Sequence, residues 1–487
     1  MIASDSLPGL ATGLGTEEIV HLVTESAYSA LPTPVVEEAK RGVLDWLGVT
    51  IAGMGEPAVE LAIEHVRDST GSTDAAILGR GRRTVPEYAA WVNGISGHAL
   101  DFDDTFPASL GWNFHPSVPV LAAIFSLADR VPVAGTDVLV AYAVGVQTEM
   151  LIGAAIGRAS SDAGWHTMST IGAVGAAAAC SRALALDSRR TAHALGISAS
   201  FAGGLRANLG TMSKCLQAGN AARAGVVSAL LAQKGFTANP RVLEAEAGFL
   251  TVFGSGGRDT VVRDTGDRPG WALQYPGLSF KPYPSCRATH ASIDAAIELF
   301  REESVGAARI ERIVCRTTRF NRRFAAYDAP TCGSEAKFSI PYCVAVALLR
   351  GRLTVADFQD ARLADPAVRA LMNRTAVADL SSASAATLDF SSEVEMTTRE
   401  GAVLRRHVVN PTGEPDRRMT ADELSSKFLD VVSAFLSPAQ SDELRGIVEA
   451  LERVPDVSAL AARAFSGAIG RRIISTAPAS PAPGPAA

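Results

Sequence analysis

The stretch Gly97–Thr105 reads GHALDFDDT and sets three carboxylates, Asp101, Asp103 and Asp104, within four positions. Like charges this close can ligate a metal, move a proton or finish a helix. Spacing tests the first use. An EF-hand loop starting at Asp101 needs glycine at its sixth position, and Phe106 stands there. A magnesium–diphosphate site wants a further acid after Asp104, and Thr105, Phe106 and Pro107 follow instead. No metal is expected, and a metal-dependent helical enzyme built on this cluster is kept as a rival class.

Three more side chains share one kind of position. His115 precedes PSVPVLAAIF, His166 precedes TMSTIGAVG, and Lys214 opens CLQAGNAARAG. Each stands at a predicted helix N-terminus, where free N–H groups and the dipole favour an anion. The same field lowers a histidine pKa, which suits a neutral imidazole acting as base or donor. Asp101 ends the helix before them, so a loop over 102–114 can bring it to face His115. A further cluster, KPYPSCRATH, holds Lys281, Tyr283, Arg287 and His290. Cations there and at Lys214 suit a substrate with several carboxylates. His21, His65, His193 and His407 sit in ordinary amphipathic or strand contexts and receive no role. No P-loop or GxSxG elbow is present, and GRGRR at 79–83 lacks the spacing of a dinucleotide fingerprint.

Helices must position these groups. TEEIVHLVTESAYSAL is amphipathic, and Thr33-Pro34 reads as a cap followed by proline. Thr84 with Glu87 reads as a capping box opening EYAAWVNGISGHAL. Glycine and alanine recur at close spacing over 172–179 and 218–225, which predicts tightly crossing helices. From about residue 271 the pattern changes. RIERIVCRTTRF alternates like a half-buried strand, and EVEMTTREGAVLRRHVV reads as a hairpin turning at Glu400-Gly401. IPYCVAVALLRGRL and ADFQDARLADPAVRALMNRT between them read as helix. After 412 helix returns, with capping signals at Thr420/Glu423 and Ser437-Pro438. The expected fold is mainly α. A discontinuous all-helical domain, 1–270 and 412–475, carries an inserted α+β domain, 271–411, and a Pro/Ala-rich disordered tail follows at 476–487. A cleft between two such domains is where a small molecule would bind.

Bulk properties exclude other classes. The chain has 487 residues and a formal net charge of -6, which gives no basic surface for nucleic acid. Six scattered cysteines without a CxxC pair argue against zinc and disulfide frameworks. No signal peptide is visible, and no run of ~20 strongly apolar residues is evident. A cytoplasmic protein without membrane contact is expected.

Five stretches in order, from GHALDFDDT with HPSVPVLAA to KPYPSCRATHASIDAAIEL, resemble the MmgE/PrpD family over about residues 90–300. Between those two lie GWHTMSTIGAVGAAAA, GTMSKCLQAGNAARAGVVSALLAQKGFT and VLEAEAGFLTVFG. The family includes 2-methylcitrate dehydratase, cis-aconitate decarboxylase and an iminodisuccinate epimerase. The resemblance implies that the α+β domain acts as a lid, that the chain forms a homodimer and that no cofactor is needed. It also implies catalytic Asp101, His115 and His166, with Thr105, Lys214 and Lys281 binding a di- or tricarboxylate. Gln217 stands where the family often has histidine, which bears on the surroundings of Lys214. Cys286 replaces a histidine found in some members. Arg319 or Arg322 is a further candidate for a substrate carboxylate.

The expected reaction is dehydration of a 2-methylcitrate-like acid, a carbon–oxygen lyase, with decarboxylation or epimerisation as alternatives and anion binding without catalysis as a third class. In this scheme His166 or Asp101 is the base and His115 the acid, while the lysines offset enolate charge. Asp103 and Asp104 are assigned to holding the loop.

Overall fold

Small residues decide how the helices meet. The helix Pro86–Ala99 crosses the helix Ser213–Gln233 at paired glycines. A Cβ added to Gly219 would lie 2.4 Å from the Trp91 carbonyl oxygen, and one on Gly94 would lie 2.8 Å from Gly219 Cα. Only glycine permits this approach. The crossing brings the end of the first helix, with His98, towards the start of the second, with Lys214. The structure, a computed structural model, describes residues 14–67, 73–107, 110, 112, 114–128, 130–254, 270–303, 305–380, 390–458 and 460. The tail expected from 476 lies outside them.

The chain is mainly α, as expected. Buried apolar side chains gather in two large clusters. One draws on residues from Leu14 to Phe280 and again from Met419 to Leu460, and the other on Cys286 to Val408. The second cluster packs on a four-stranded sheet. Its strand order is Thr375–Asp379, Ile310–Thr317, Ser392–Thr398, Val403–Val408, with the first pair parallel and the others antiparallel. The hairpin at Gly401 is present, and that glycine has the positive φ the turn requires (86°). The parallel strand Thr375–Asp379 departs from the sequence reading, which ran helix through to Thr375. The helix stops at Met372, and the β-branched residues that follow add to the sheet.

Local signals held where no partner competed. Thr420 and Glu423 form the expected box. Ser437 caps the helix beginning at Pro438. Thr84 does not cap: it pairs with Ala75 in a two-stranded hairpin over 75–84, and Val85 precedes the helix without a side-chain bond. Pro32, not Thr33, takes the cap position of the helix Thr33–Gly53.

The helix Gly135–Asp162 corrects another expectation, because it is long and apolar enough to cross a membrane. However, 78% of its most apolar window is buried within the protein, so it reads as a core helix. It carries Glu149, fully buried, with neither carboxyl oxygen hydrogen-bonded among the described residues. Gly175 on the neighbouring helix makes the room, since a Cβ there would meet Glu149 Cγ at 2.3 Å. Burial, and after it the charge of Asp104, pushes the Glu149 carboxyl well above the usual carboxylate range. The folded state therefore keeps a proton that the unfolded chain releases near pH 4.5. Stability is lost as pH rises past that value, because the folded state then binds more protons. Glu149→Gln removes this dependence. Its melting temperature relative to wild type is expected to rise between about pH 5 and 8; a difference that stays flat with pH would contradict it.

Candidate active site

The helix Pro86–Ala99 ends with Leu100, and Asp101 then takes the left-handed backbone (φ 52°), its N–H bonded to the His98 carbonyl at 3.1 Å. Glycine usually fills such a position, and aspartate is among the few side chains that tolerate it. The turn points consecutive groups of the loop at different partners. Asp101 Oδ1 accepts from Lys281 Nζ at 2.6 Å and lies 3.2 Å from Lys214 Nζ. The Asp101 carbonyl also accepts from Lys281 (2.9 Å). The Phe102 carbonyl accepts from Lys427 Nζ (2.8 Å), which also binds Asp45 (2.6 Å). Asp104 accepts from the Ser117 hydroxyl. The Thr105 backbone pairs with Ser279.

Asp103 sits between two imidazoles. His98 Nδ1 is 2.9 Å from both its oxygens, and His115 Nδ1 is 3.0 Å from Oδ2. The His115 contact is off the ideal hydrogen-bond line. A carboxylate only accepts, so both rings carry their proton on Nδ1. Lys214 Nζ, a donor, is 2.6 Å from His98 Nε2 and confirms the tautomer there. The His115 ring thus offers an unprotonated Nε2, 3.9 Å from Asp101 Oδ1.

His166 precedes the helix Thr167–Ala183 as its cap residue. Its Nδ1 is 2.8 Å from Gln217 Oε1. The amide orientation follows from Gln217 Nε2, which donates to the Leu205 carbonyl at 3.1 Å. His166 is therefore also an Nδ1–H tautomer with a free Nε2. Gln217 serves His166, not the Lys214 surroundings to which the sequence reading attached it.

Burial sets the charge states. It pulls His115 down to about 3, with Asp103 only partly offsetting it. It also lowers His98 and takes His166 well below its ordinary value, with Lys214 adding to the latter. Helix dipoles are not the main cause expected from the sequence. Burial opposes ionisation of Asp101, yet Lys214 and Lys281 hold its carboxyl well below the usual range. So strongly held an anion is a weak base, and its place between the two lysines suits charge compensation. Asp103 is likewise held low, burial being outweighed by the two imidazoles. Asp104 goes the other way: burial and Asp45 push it well above the range.

A cavity of about 410 Å³, counting its open mouth, is walled by Asp101, His115, His166, Lys214, Arg206 and Arg287 among others. Two expected substrate ligands are not on that wall. Lys281 is fully buried behind Asp101, and Thr105 is fully buried with its hydroxyl unbonded among the described residues. Asp103 is more than the loop anchor expected, since it binds His115. Arg319 and Arg322 are exposed and paired with Asp379, so neither reaches the cavity. Cys286 does line it, as a buried thiol pushed up to about 11. Tyr283 donates to Asp294 (2.6 Å), and Arg287, held by Glu414, donates to His290 Nδ1 (3.1 Å). His98 was missed, although it lies in the opening motif five residues before Asp103. Arg206 and Lys427 were also missed.

His98, Asp101, Asp103 and His115 bring donor atoms within 4.8 Å of one another, the spacing of a metal site. Two of those donors already bind ammonium groups, Lys214 at His98 and both lysines at Asp101. A divalent cation would sit against two fixed positive charges, so the donor set fits a metal poorly.

Comparison with known proteins gives a consistent likeness. The MmgE/PrpD N-terminal domain matches residues 17–261, and the MmgE/PrpD C-terminal domain matches residues 283–453. Cis-aconitate decarboxylase of Homo sapiens is 30% identical over 457 residues, covering 91% of this chain and 93% of that protein. The cis-aconitate decarboxylase-like protein oryM of Aspergillus oryzae is 28% identical over 483 residues, covering 95% and 99%. Cis-aconitate decarboxylase of Aspergillus terreus is 26% identical over 467 residues, covering 91% and 94%.

Proposed function

Because this chain belongs to the MmgE/PrpD family, we propose that it is a lyase that decarboxylates a cis-aconitate-type tricarboxylate. The full-length likeness to decarboxylases carries the choice of reaction over the dehydration expected from sequence. One geometric observation supports the chemistry: two histidines with free Nε2 atoms share a cavity with Lys214, Arg206 and the buried Asp101.

In this reading the C–C bond to one carboxylate breaks, and carbon dioxide leaves. The electron pair passes into the adjoining unsaturated carboxylate as an enolate, and a proton is added to carbon. A trianion plus one proton gives a dianion and carbon dioxide. Lys214 stabilises the enolate charge. His115 is the acid. It is neutral in the free protein, but a bound trianion favours its protonation and Asp103 steadies the imidazolium. Cys286, Arg287, Phe324 and Phe338, from the part of the chain holding the second core cluster, line the same cavity as the histidines, and in this reading that part acts as the lid.

Dehydration is the second reading, favoured by the free Nε2 of His166 as a base in the same cavity as His115 as acid. Incubating the protein with citrate-, aconitate- and iminosuccinate-type acids separates the cases by NMR. Loss of carbon dioxide is expected; water loss or inversion would replace the proposal. Unchanged turnover after EDTA treatment is also expected, and a chelator-sensitive rate would restore the metal reading. The homodimer belongs to the same proposal and predicts a solution mass of twice 50.7 kDa.

A further inference from the structure

Among the described residues, the cations around the cavity other than Arg206 each have a carboxylate within ion-pair distance. Lys214 and Lys281 share Asp101, Arg287 is held by Glu414, and Arg323 by Asp162 (2.6 Å). Arg206 has no carboxylate within ion-pair distance among the described residues. Its Nη1 donates to the Ser161 carbonyl (2.8 Å), while its Nε is buried without a partner. The nearby Asp162 is engaged by Arg323 and approached by Arg158 (3.7 Å).

This guanidinium is held in place. Its carbon lies 4.4 Å from the Phe324 ring centroid, and Phe324 is itself on the cavity wall. The Arg206 backbone N–H donates to the Gly164 carbonyl at 2.9 Å and fixes the chain from which the side chain extends. The preceding residue, Leu205, bridges to Trp165 and is tied through its carbonyl to Gln217, the partner of His166. Arg206 therefore lies on the His166 side of the cavity. A partly desolvated, unpaired guanidinium is costly unless an anion completes it, and a planar fork matches a carboxylate.

We propose that Arg206 binds a substrate carboxylate remote from the one that leaves, and so selects acids with a third carboxylate. This rests on the decarboxylase reading for the identity of the acid, not for the binding itself. Arg206 acts on binding rather than on the bond-breaking step, because its partner carboxylate is unchanged by the reaction.

The probes are tricarballylate and 2-methylsuccinate, which lacks one terminal carboxylate, titrated calorimetrically into wild type, Arg206→Met and Arg206→Lys. Arg206→Met is expected to weaken tricarballylate binding about ten- to a hundredfold, the worth of a charge-assisted hydrogen bond, and to leave 2-methylsuccinate nearly unchanged. Arg206→Lys should recover part of the loss. On a turned-over tricarboxylate, KM should rise with kcat within about threefold. Equal losses for both acids, no loss, or no binding of tricarballylate by wild type would overturn the proposal. If Arg206→Met fails to fold, Arg206→Gln carries the same comparison. If wild type decarboxylates nothing while the selective binding loss persists, the decarboxylase reading fails and the Arg206 site stands.

Discussion

Asp103→Asn is expected to lower kcat by up to about 10⁴-fold, the loss seen when an aspartate that orients a catalytic histidine becomes an amide. The reason lies in what each group can accept. The Asp103 carboxylate accepts the His98 N–H and lies 3.0 Å from His115 Nδ1, close enough to face both rings at once. Asparagine has one accepting oxygen, and its NH2 group only donates. One ring must then present a bare Nδ1 and move its proton to Nε2. His98 is already pinned on its other side by the Lys214 ammonium, a donor, so His115 is the ring expected to change. Its Nε2 then arrives in the cavity already protonated, but no anion remains beside Nδ1 to support a second proton. Histidine-selective nitrogen NMR reads the tautomers directly. One ring should switch to Nε2–H in the variant, with a melting temperature close enough to wild type to exclude unfolding. Retention of kcat within about threefold would show that Asp103 only holds the loop.

That contrast marks how far the sequence is readable. His115, His166 and Lys214 announce themselves because each sits at a helix boundary, and boundaries are local. His115, His166 and Lys214 are all found where helix signals placed them. Roles are less local. Lys281 and Thr105 were expected to touch substrate, but neither lines the cavity: Lys281 meets Asp101 across 180 positions, and the Thr105 backbone pairs with Ser279. Lys427 reaches the loop carbonyl of Phe102 across 325 positions, and no spacing rule encodes that. Thr84 illustrates the same limit in secondary structure: its capping signal was sound, but strand pairing with Ala75 took the residue. His98 was legible in principle, being a histidine in the last turn of an apolar helix beside an acid cluster. Charge states were not, because burial sets them and burial is a property of the whole packing.

Asp101→Asn is expected to affect both stability and chemistry, unlike a simple catalytic deletion. The carboxylate compensates two buried ammonium groups, at 2.6 and 3.2 Å. Removing one partner of a buried ion pair costs about 3–5 kcal/mol, because the charge left behind has no counterpart. Asparagine isolates that charge effect. It tolerates the left-handed backbone of residue 101 nearly as aspartate does, whereas alanine adds strain there. The pH dependence supplies the sign. The folded carboxyl titrates well below its unfolded value of 3.8, so its contribution is complete above that value. It is lost as pH falls through the folded value. Urea denaturation should therefore show the full deficit of the variant at neutral pH and a shrinking one as the solution is acidified. Turnover should fall too, because Lys214 loses the anion that fixes it beside His98, and with it the placed charge for an enolate. A variant with wild-type urea midpoint at neutral pH would mean that the lysines find other compensation, and the pairing would then be a consequence of packing, not its support.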